Sequence, residues 1–178
     1  MNAVAAGSVT RCLAGFVGVA LALVAIVMFV PSRETRPVAS TEWAPSGFTA
    51  VDTVTLDGDR TLRLWVSPSG WWVQSLVGGE HEGAVGAATS RHRYTASVVL
   101  DGLVGIVPVP TTAPVEPVRS VSVRAESGGT ALRATVHDRV FLLPGWIAPE
   151  SARAVLVTPY GADGQPLADE VPVTIAGR

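Results

Sequence analysis

Residues 12–30 form an apolar segment without a charged side chain, bounded by Arg11 on one side and by Pro31, Ser32 and Arg33 on the other. An α-helix of this length extends about 28 Å, which matches the roughly 30 Å hydrocarbon thickness of a bilayer. The segment is longer than the apolar core of a signal peptide, and no small-x-small cleavage site follows it closely. We therefore predict a retained transmembrane helix at 12–30, in preference to a cleaved signal peptide or a buried core helix.

The charges that flank this segment are nearly balanced, because Arg11 and the terminal amine face Arg33 and Arg36. A short tail ahead of the helix and a large domain behind it are typical of a signal anchor. This arrangement predicts a single-pass protein of the plasma membrane, with a cytoplasmic N-terminus and an extracytoplasmic C-terminal domain.

Small residues recur along one face of the predicted helix, at Ala14, Gly18 and Ala22. Small side chains let a second helix approach closely, so this face would allow a weak homodimer through the transmembrane helix. The abundance of Ala and Gly in the chain is the simpler explanation of the spacing.

Charge and cysteine content exclude several classes of partner and cofactor. The net charge is −2 and no long run of like charge occurs, so nucleic acid is not expected as a partner. The single cysteine, Cys12, lies at the edge of the apolar segment, so an internal disulfide and a thiolate metal cluster are both excluded. We expect no cofactor.

After Phe48 the apolar residues recur with a period of two, which is typical of half-buried β-strands. In the clearest run, Leu62, Leu64 and Val66 alternate with more polar positions, and Asp57-Gly58-Asp59 before it is good hairpin-turn chemistry. Similar runs separated by short turns continue to the C-terminus. They predict a mainly β chain, in which the transmembrane α-helix precedes a β-sandwich-like domain of about eight antiparallel strands, with a barrel as the alternative.

Two stretches are expected to lie between strands. The polar, Gly-rich residues 78–90 read as a loop between strands at 71–77 and 91–100. Prolines interrupt any sheet ladder between 107 and 118, because proline donates no backbone hydrogen bond. That segment is expected to be a connection.

These features divide the chain into a tail, a helix, a linker and a β domain. The predicted ranges are 1–11, 12–30, 31–47 and 48–178, the last being either one domain or two half-units, 48–106 and 118–178, joined by the Pro-rich connection. Trp43 is the one large apolar residue of the linker. It is expected either at the lipid interface or against an edge of the β domain.

Catalytic and metal-binding patterns are not found in the sequence. No Gly-x-Ser-x-Gly elbow occurs, and His81, His92 and His137 lack the i, i+4 pairing of zinc proteases. Glu80, His81, Glu82 and His92 could in principle collect a metal, but solvated loop charges explain them more simply. We predict no catalytic residue, no metal site and no enzymatic activity.

Trp71 and Trp72 are the candidate binding residues. Neighbours on a strand point to opposite faces, so a core that lies on one side of a sheet accepts only one of the two rings. The other ring would offer rigid contact area to a glycan or protein, unless the linker or the Pro-rich segment covers it.

The stretch 121–167 includes Gly128-Gly129, Ala134-Thr-Val-His-Asp-Arg-Val-Phe-Leu-Leu-Pro and Val155-Leu-Val-Thr-Pro-Tyr-Gly-Ala-Asp-Gly-Gln-Pro-Leu. It resembles the C-terminal β module of uncharacterised actinobacterial single-pass membrane-anchored proteins. The resemblance covers about a quarter of the chain. It implies an exported β-rich domain and carries no catalytic residues to transfer.

Three classes of function follow. The first is a non-enzymatic cell-envelope protein whose exported β domain binds or positions an envelope protein or glycan, with the lipid bilayer as its other partner. The second is a regulatory membrane protein, a sensor or anti-sigma-like partner, which the short N-terminal tail argues against. The third is an envelope enzyme whose site is assembled from distant loops.

Overall fold

The computed structural model describes residues 43–89, 92–109 and 116–177, which form β-strands and one 3₁₀ turn, Gly145–Ile147. The strands of these ranges are β1 (Thr49–Thr55), β2 (Arg60–Ser67), β3 (Gly70–Val77), β4 (Glu80–Ala88), β5 (Thr95–Val99), β6 (Gly102–Ile106), β7 (Ser120–Ala125), β8 (Leu132–Thr135), β9 (Val140–Pro144), β10 (Ala154–Tyr160) and β11 (Val171–Ala176). The prediction of a mainly β domain is confirmed, although the strands outnumber the eight expected.

The predicted transmembrane helix at 12–30 and the tail at 1–11 lie outside the described residues, as does most of the linker. Within the described ranges, no helix is long and apolar enough to cross a bilayer.

Strands β1 to β4 form an antiparallel sheet in chain order, which we call the small sheet. The predicted hairpin around Asp57-Gly58-Asp59 is confirmed, and the turn at 67–70 joins β2 to β3. The expectation of a loop at 78–90 is wrong, because Glu80–Ala88 forms β4. Gly78 and Gly79 both have positive φ, at 59° and 85°, and together make the tight two-residue turn that returns the chain from β3.

The remaining strands form a second sheet in the order β8-β7-β10-β11-β5-β6-β9, which we call the large sheet. Its pairings are antiparallel except at one seam, where β11 runs parallel to β5 and Ile175 pairs with Ala96. The expectation of a wholly antiparallel domain is wrong at this seam. The seam joins strands from either side of the Pro-rich connection, so the strands of 95–106 and of 120–176 share one sheet.

The large sheet curls around its own core. Its end strands, β8 and β9, contact each other, and every strand contributes to one buried cluster. The strand residues of this cluster are Ala96, Leu103, Val121, Val123, Ala134, Phe141, Leu143, Val155, Val157, Val173 and Ile175. The enclosed side chains fill the interior as they do in a small barrel.

A second core lies between the two sheets. Leu62, Leu64, Val66, Trp71 and Val73 of the small sheet pack against the outer face of β6 and β9. The residues that β6 and β9 contribute are Val104, Ile106, Val140 and Leu142. These two strands are therefore buried on both faces, which explains their unbroken apolar runs and why alternation did not reveal β6.

Gly105 on β6 is the partner of Phe141 in the β6–β9 pair, and the Phe141 ring lies against it. A Cβ at position 105 would collide with the far end of that ring. The glycine therefore leaves room for the end of the Phe141 ring beside the backbone of the neighbouring strand.

Candidate ligand-binding cleft

Trp71 and Trp72 lie on opposite faces of β3. Trp71 is 5% exposed and belongs to the core between the sheets. Trp72 is half-buried and faces away from that core. The structure thus separates the two predicted binding residues, and their role in binding a partner stays a prediction.

Trp72 belongs to an aromatic cluster on the outer face of the small sheet. The Trp43 ring stacks on His81 at 5.0 Å and 17°, and it meets Trp65 and Trp72 edge-on at 6.3 and 5.9 Å. Of the two positions expected for Trp43, its contacts place it against the β domain. Much of the Trp72 side chain is therefore covered by other residues of the chain and is not exposed to a partner.

The buried side-chain amide of Gln74 contacts two members of this cluster, Trp65 and His81. Gln74 is 1% exposed, and its Oε1 accepts a hydrogen bond from Trp65 Nε1 at 3.1 Å. Its Nε2 lies 3.2 Å from His81 Nδ1. Because the indole can only donate, Oε1 is the acceptor for Trp65 and the amide N–H group of Gln74 is directed to His81 Nδ1. The polar groups at the centre of this face are thus satisfied internally and leave little for a ligand.

A cleft of about 440 Å³ opens at one end of the junction between the two sheets. Its apolar lining includes Leu56 and Val98, and Trp146 stands beside them. The charged side chains of the lining are Asp57, Arg60, Asp101 and Glu150. The combination of one large aromatic ring with several polar groups is typical of a small-ligand site.

Trp146 is 64% exposed, which is the highest value among the exposed large apolar side chains of the described ranges. The backbone on either side of Trp146 is held in place, because Ile147 and Ala148 after it are buried and Gly145 before it donates a 2.7 Å backbone hydrogen bond to Asp101 O. A Cβ at Gly145 would lie 2.5 Å from that oxygen, so only glycine permits this contact. The indole is therefore presented to solvent from a rigid turn.

Arg60 fixes the neighbouring carboxylate. Its guanidinium donates to Asp101 Oδ2 at 2.6 Å and, through Nε, to Ser75 Oγ at 3.2 Å. Glu82 completes the network by accepting from Ser75 Oγ at 2.6 Å and lying 3.4 Å from Arg60 Nε. Asp101 sits with Leu100 in a two-residue turn where both φ values are positive, 64° and 50°. Asp101 is thus positioned by its backbone and by its ion pair.

The electrostatic character of the cleft follows from its residues. Asp57, Asp101 and Glu150 supply three carboxylates against the one guanidinium of Arg60. The cleft therefore repels anions and offers many hydrogen-bond acceptors. Nowhere in ranges 43–89, 92–109 and 116–177 do three His, Cys, Asp or Glu side chains form a group able to hold a metal ion.

A second depression, of about 550 Å³, runs beside β10 and includes Tyr160 and Glu170. Tyr160 and Glu170 already contact side chains of the same sheet. The guanidinium of Arg133 lies 4.3 Å from the Tyr160 ring, and Arg124 binds Glu170 through two hydrogen bonds of 2.9 and 2.6 Å. The hydrogen bond to Glu170 raises the pKa of the Arg124 guanidinium. We therefore favour the Trp146 cleft as the candidate site.

Sequence reasoning missed this site. Asp57, Arg60, Asp101 and Trp146 lie far apart in the chain and meet only because the small sheet packs beside the β5–β6 turn. One local signal was available. Pro144-Gly145 indicates a turn, and turns lie at the surface, so the sequence favours an exposed position for Trp146, the next residue. The histidines do not join the cleft lining: His81 lies in the aromatic cluster, His92 is exposed, and His137 bridges to Val140.

Comparisons of the chain with protein-family models, with curated proteins and with solved structures found no match.

Proposed function

We propose that this chain is a membrane-anchored, non-enzymatic protein of the cell envelope whose exported β domain binds a neutral glycan in the Trp146 cleft. The apolar segment 12–30 supports the anchor, because its length matches the thickness of a bilayer. The observation that carries the binding role is a tryptophan 64% exposed on a rigid turn, beside three carboxylates.

An indole and carboxylates suit a sugar for complementary reasons. The C–H face of a sugar ring is apolar and stacks on an aromatic surface, which the exposed indole of Trp146 provides. Sugar hydroxyls donate hydrogen bonds, and the carboxylates of Asp57, Asp101 and Glu150 accept them. The ion pair between Arg60 and Asp101 supports binding, because it fixes one acceptor before the ligand arrives.

The charge of the cleft selects among glycans. Three carboxylates against one guanidinium oppose uronic acid and phosphate-bearing polymers, since bringing like charges together in a partly enclosed site is costly. Neutral sugars, including N-acetylated amino sugars, meet no such repulsion. They are the expected ligand class.

The test is a titration of the full-length chain in detergent micelles, with chitohexaose and cellohexaose as neutral probes and polygalacturonate as the anionic probe. Calorimetry is expected to show binding of at least one neutral probe and none of polygalacturonate. Trp146→Ala is expected to weaken binding at least ~10-fold, as loss of a central aromatic contact does, while Trp146→Phe keeps part of the affinity.

Leu167→Ala is the matched control, because Leu167 is another exposed apolar side chain and lies in the depression beside β10. It should bind as the unaltered chain does. The proposal fails if neither neutral probe binds at millimolar concentration, or if Trp146→Ala binds as tightly as the unaltered chain.

A further inference from the structure

Among the described strands, β4 has a neighbour on one edge only. This strand lies at the end of the small sheet, with β3 on one side, and none of the strands in the described ranges pairs with its other side. It is nine residues long, so its outer edge presents a row of backbone N–H and C=O groups that can pair with another strand.

The opposite edge of the small sheet is protected. β1 contains a bulge between Ala50 and Asp52, and Asp52 Oδ1 accepts a 2.8 Å hydrogen bond from the backbone N–H of Thr53. β1 also contacts β9 of the large sheet. A bulge, a mid-strand charge and a covering element are the usual means of preventing edge pairing.

The protection of β4 is confined to one end. Its irregularity falls between the partners of Ser75 and Leu76, at Glu82, next to Glu80 and His81. From Gly83 to Ala88 the pairing with β3 is regular, and the residues are Gly, Ala and Val without charge or proline. Val85, in the middle of this stretch, is 40% exposed.

We propose that β4 pairs antiparallel with β4 of a second copy of this chain, about a twofold axis at Val85, so that two small sheets become one continuous sheet. The charges select this arrangement. Parallel in-register pairing would set Glu80 and Glu82 opposite their own copies, whereas the antiparallel register centred on Val85 sets Glu82 opposite Ala88. The same register places the two exposed Val85 side chains against each other.

This interface depends on neither the Trp146 cleft nor the predicted transmembrane helix. It is isologous, as most homodimer interfaces are, because the same stretch of each copy meets itself. Main-chain hydrogen bonds supply the attraction, and the small side chains on both strands let the two edges approach.

The first test is disulfide cross-linking of the full-length chain in a Cys12→Ser background. Residues opposite each other in an antiparallel pair have Cα atoms about 4.5–5.5 Å apart, which is within disulfide range. Val85→Cys is expected to give a covalent dimer under mild oxidation at ~10-fold the yield of Thr53→Cys, an exposed control on the protected β1 edge. Equal yields from the two variants would overturn the proposal, since they would indicate only proximity through another part of the chain.

The second test uses charge to break and restore the pair. Val85→Lys and Val85→Glu should each sediment as monomers, because each sets like charges directly opposite one another, and a 1:1 mixture should recover the dimer. Thr53→Lys should remain dimeric. A dimer of Val85→Lys alone, a mixture that stays monomeric, or a monomeric unaltered chain at about 100 µM would each refute the Val85-centred pairing. Far-UV circular dichroism should show the same β spectrum in all variants.

Discussion

The two sheets solve the problem of exposed edges in different ways. The large sheet curls until β8 and β9 contact each other, and its interior is filled by aliphatic side chains and one phenylalanine. The small sheet stays open, keeps two edges, and packs one face on β6 and β9. Its other face carries tryptophans, a histidine and a buried glutamine.

The two sheets also contribute differently to stability and to the candidate cleft. The large sheet uses its side chains to fill an interior, so it supplies a rigid body on which the Trp146 turn is mounted. The small sheet supplies Arg60 to the cleft and the unprotected stretch of β4. Changes in the large sheet should therefore affect stability most, and changes in the small sheet should be milder.

The largest expected effect is in the interior of the large sheet. Phe141→Ala should lower the free energy of unfolding by about 3–5 kcal/mol, because it leaves a cavity beside Gly105 that the packed interior of the large sheet fills only in part. Val73→Ala, in the core between the sheets, should cost about 2 kcal/mol because it removes two methyl groups. Urea denaturation measures both, and equal costs would contradict the distinction between the two sheets.

The next effect is at Gln74 on the outer face of the small sheet. Gln74→Leu removes the acceptor of Trp65 Nε1 and the partner of His81, so it should cost about 1–3 kcal/mol through the unsatisfied indole. Thr53→Ala, at an exposed position of the same sheet, is the control and should be near neutral. Denaturation midpoints compare them, and a stabilising Gln74→Leu would show that packing dominates this face.

A smaller effect concerns the ion pair that links the sheets. In a double-mutant cycle of Arg60→Leu and Asp101→Asn, the coupling free energy should be about 0.2–1 kcal/mol, because the Asp101 side chain is 73% exposed to solvent and that of Arg60 30%. Added salt should reduce it. The cycle is measured by urea denaturation at low and high salt, and a coupling near zero at low salt would mean that Arg60 does not hold Asp101 in place.

The smallest effect is the change in folding stability at alkaline pH that Tyr94 causes. This residue packs against the interior of the large sheet. Burial raises the pKa of its phenol above the ordinary value of 10.0, so the folded state favours the neutral form. That contribution to stability is complete below pH 10.0 and is lost as pH rises through the folded-state pKa. Tyr94→Phe should flatten this part of the stability profile, and an unchanged slope would contradict it.

The sequence predicted the elements in which local pattern and tertiary structure agree. β1, β2 and β3 each bury one face or are joined by turns with clear chemistry, so alternation and Asp57-Gly58-Asp59 were sufficient. β4 was missed because its small residues at 83–88 show no alternation, and β6 because both of its faces are buried.

The candidate site was less predictable for a related reason. Trp71-Trp72 is conspicuous in the sequence, yet Trp71 belongs to the core between the sheets and Trp72 meets Trp43 edge-on. The exposed indole is instead Trp146, and the groups around it come from three distant stretches of chain. Only the packing of one sheet beside the other brings them together, and no spacing in the sequence encodes that.

The parallel pairing of β11 with β5 affects the order in which the strands of the domain can pair. β11, the last of the described strands, completes the large sheet by pairing with β5, and the pairs Ile175 with Ala96 and Ala176 with Ser97 join segments far apart in sequence. Contacts of such long range are formed late and slowly. The large sheet therefore cannot be completed until Val171–Ala176 has been synthesised, and before that β5 exposes an unpaired edge to aggregation or to a chaperone.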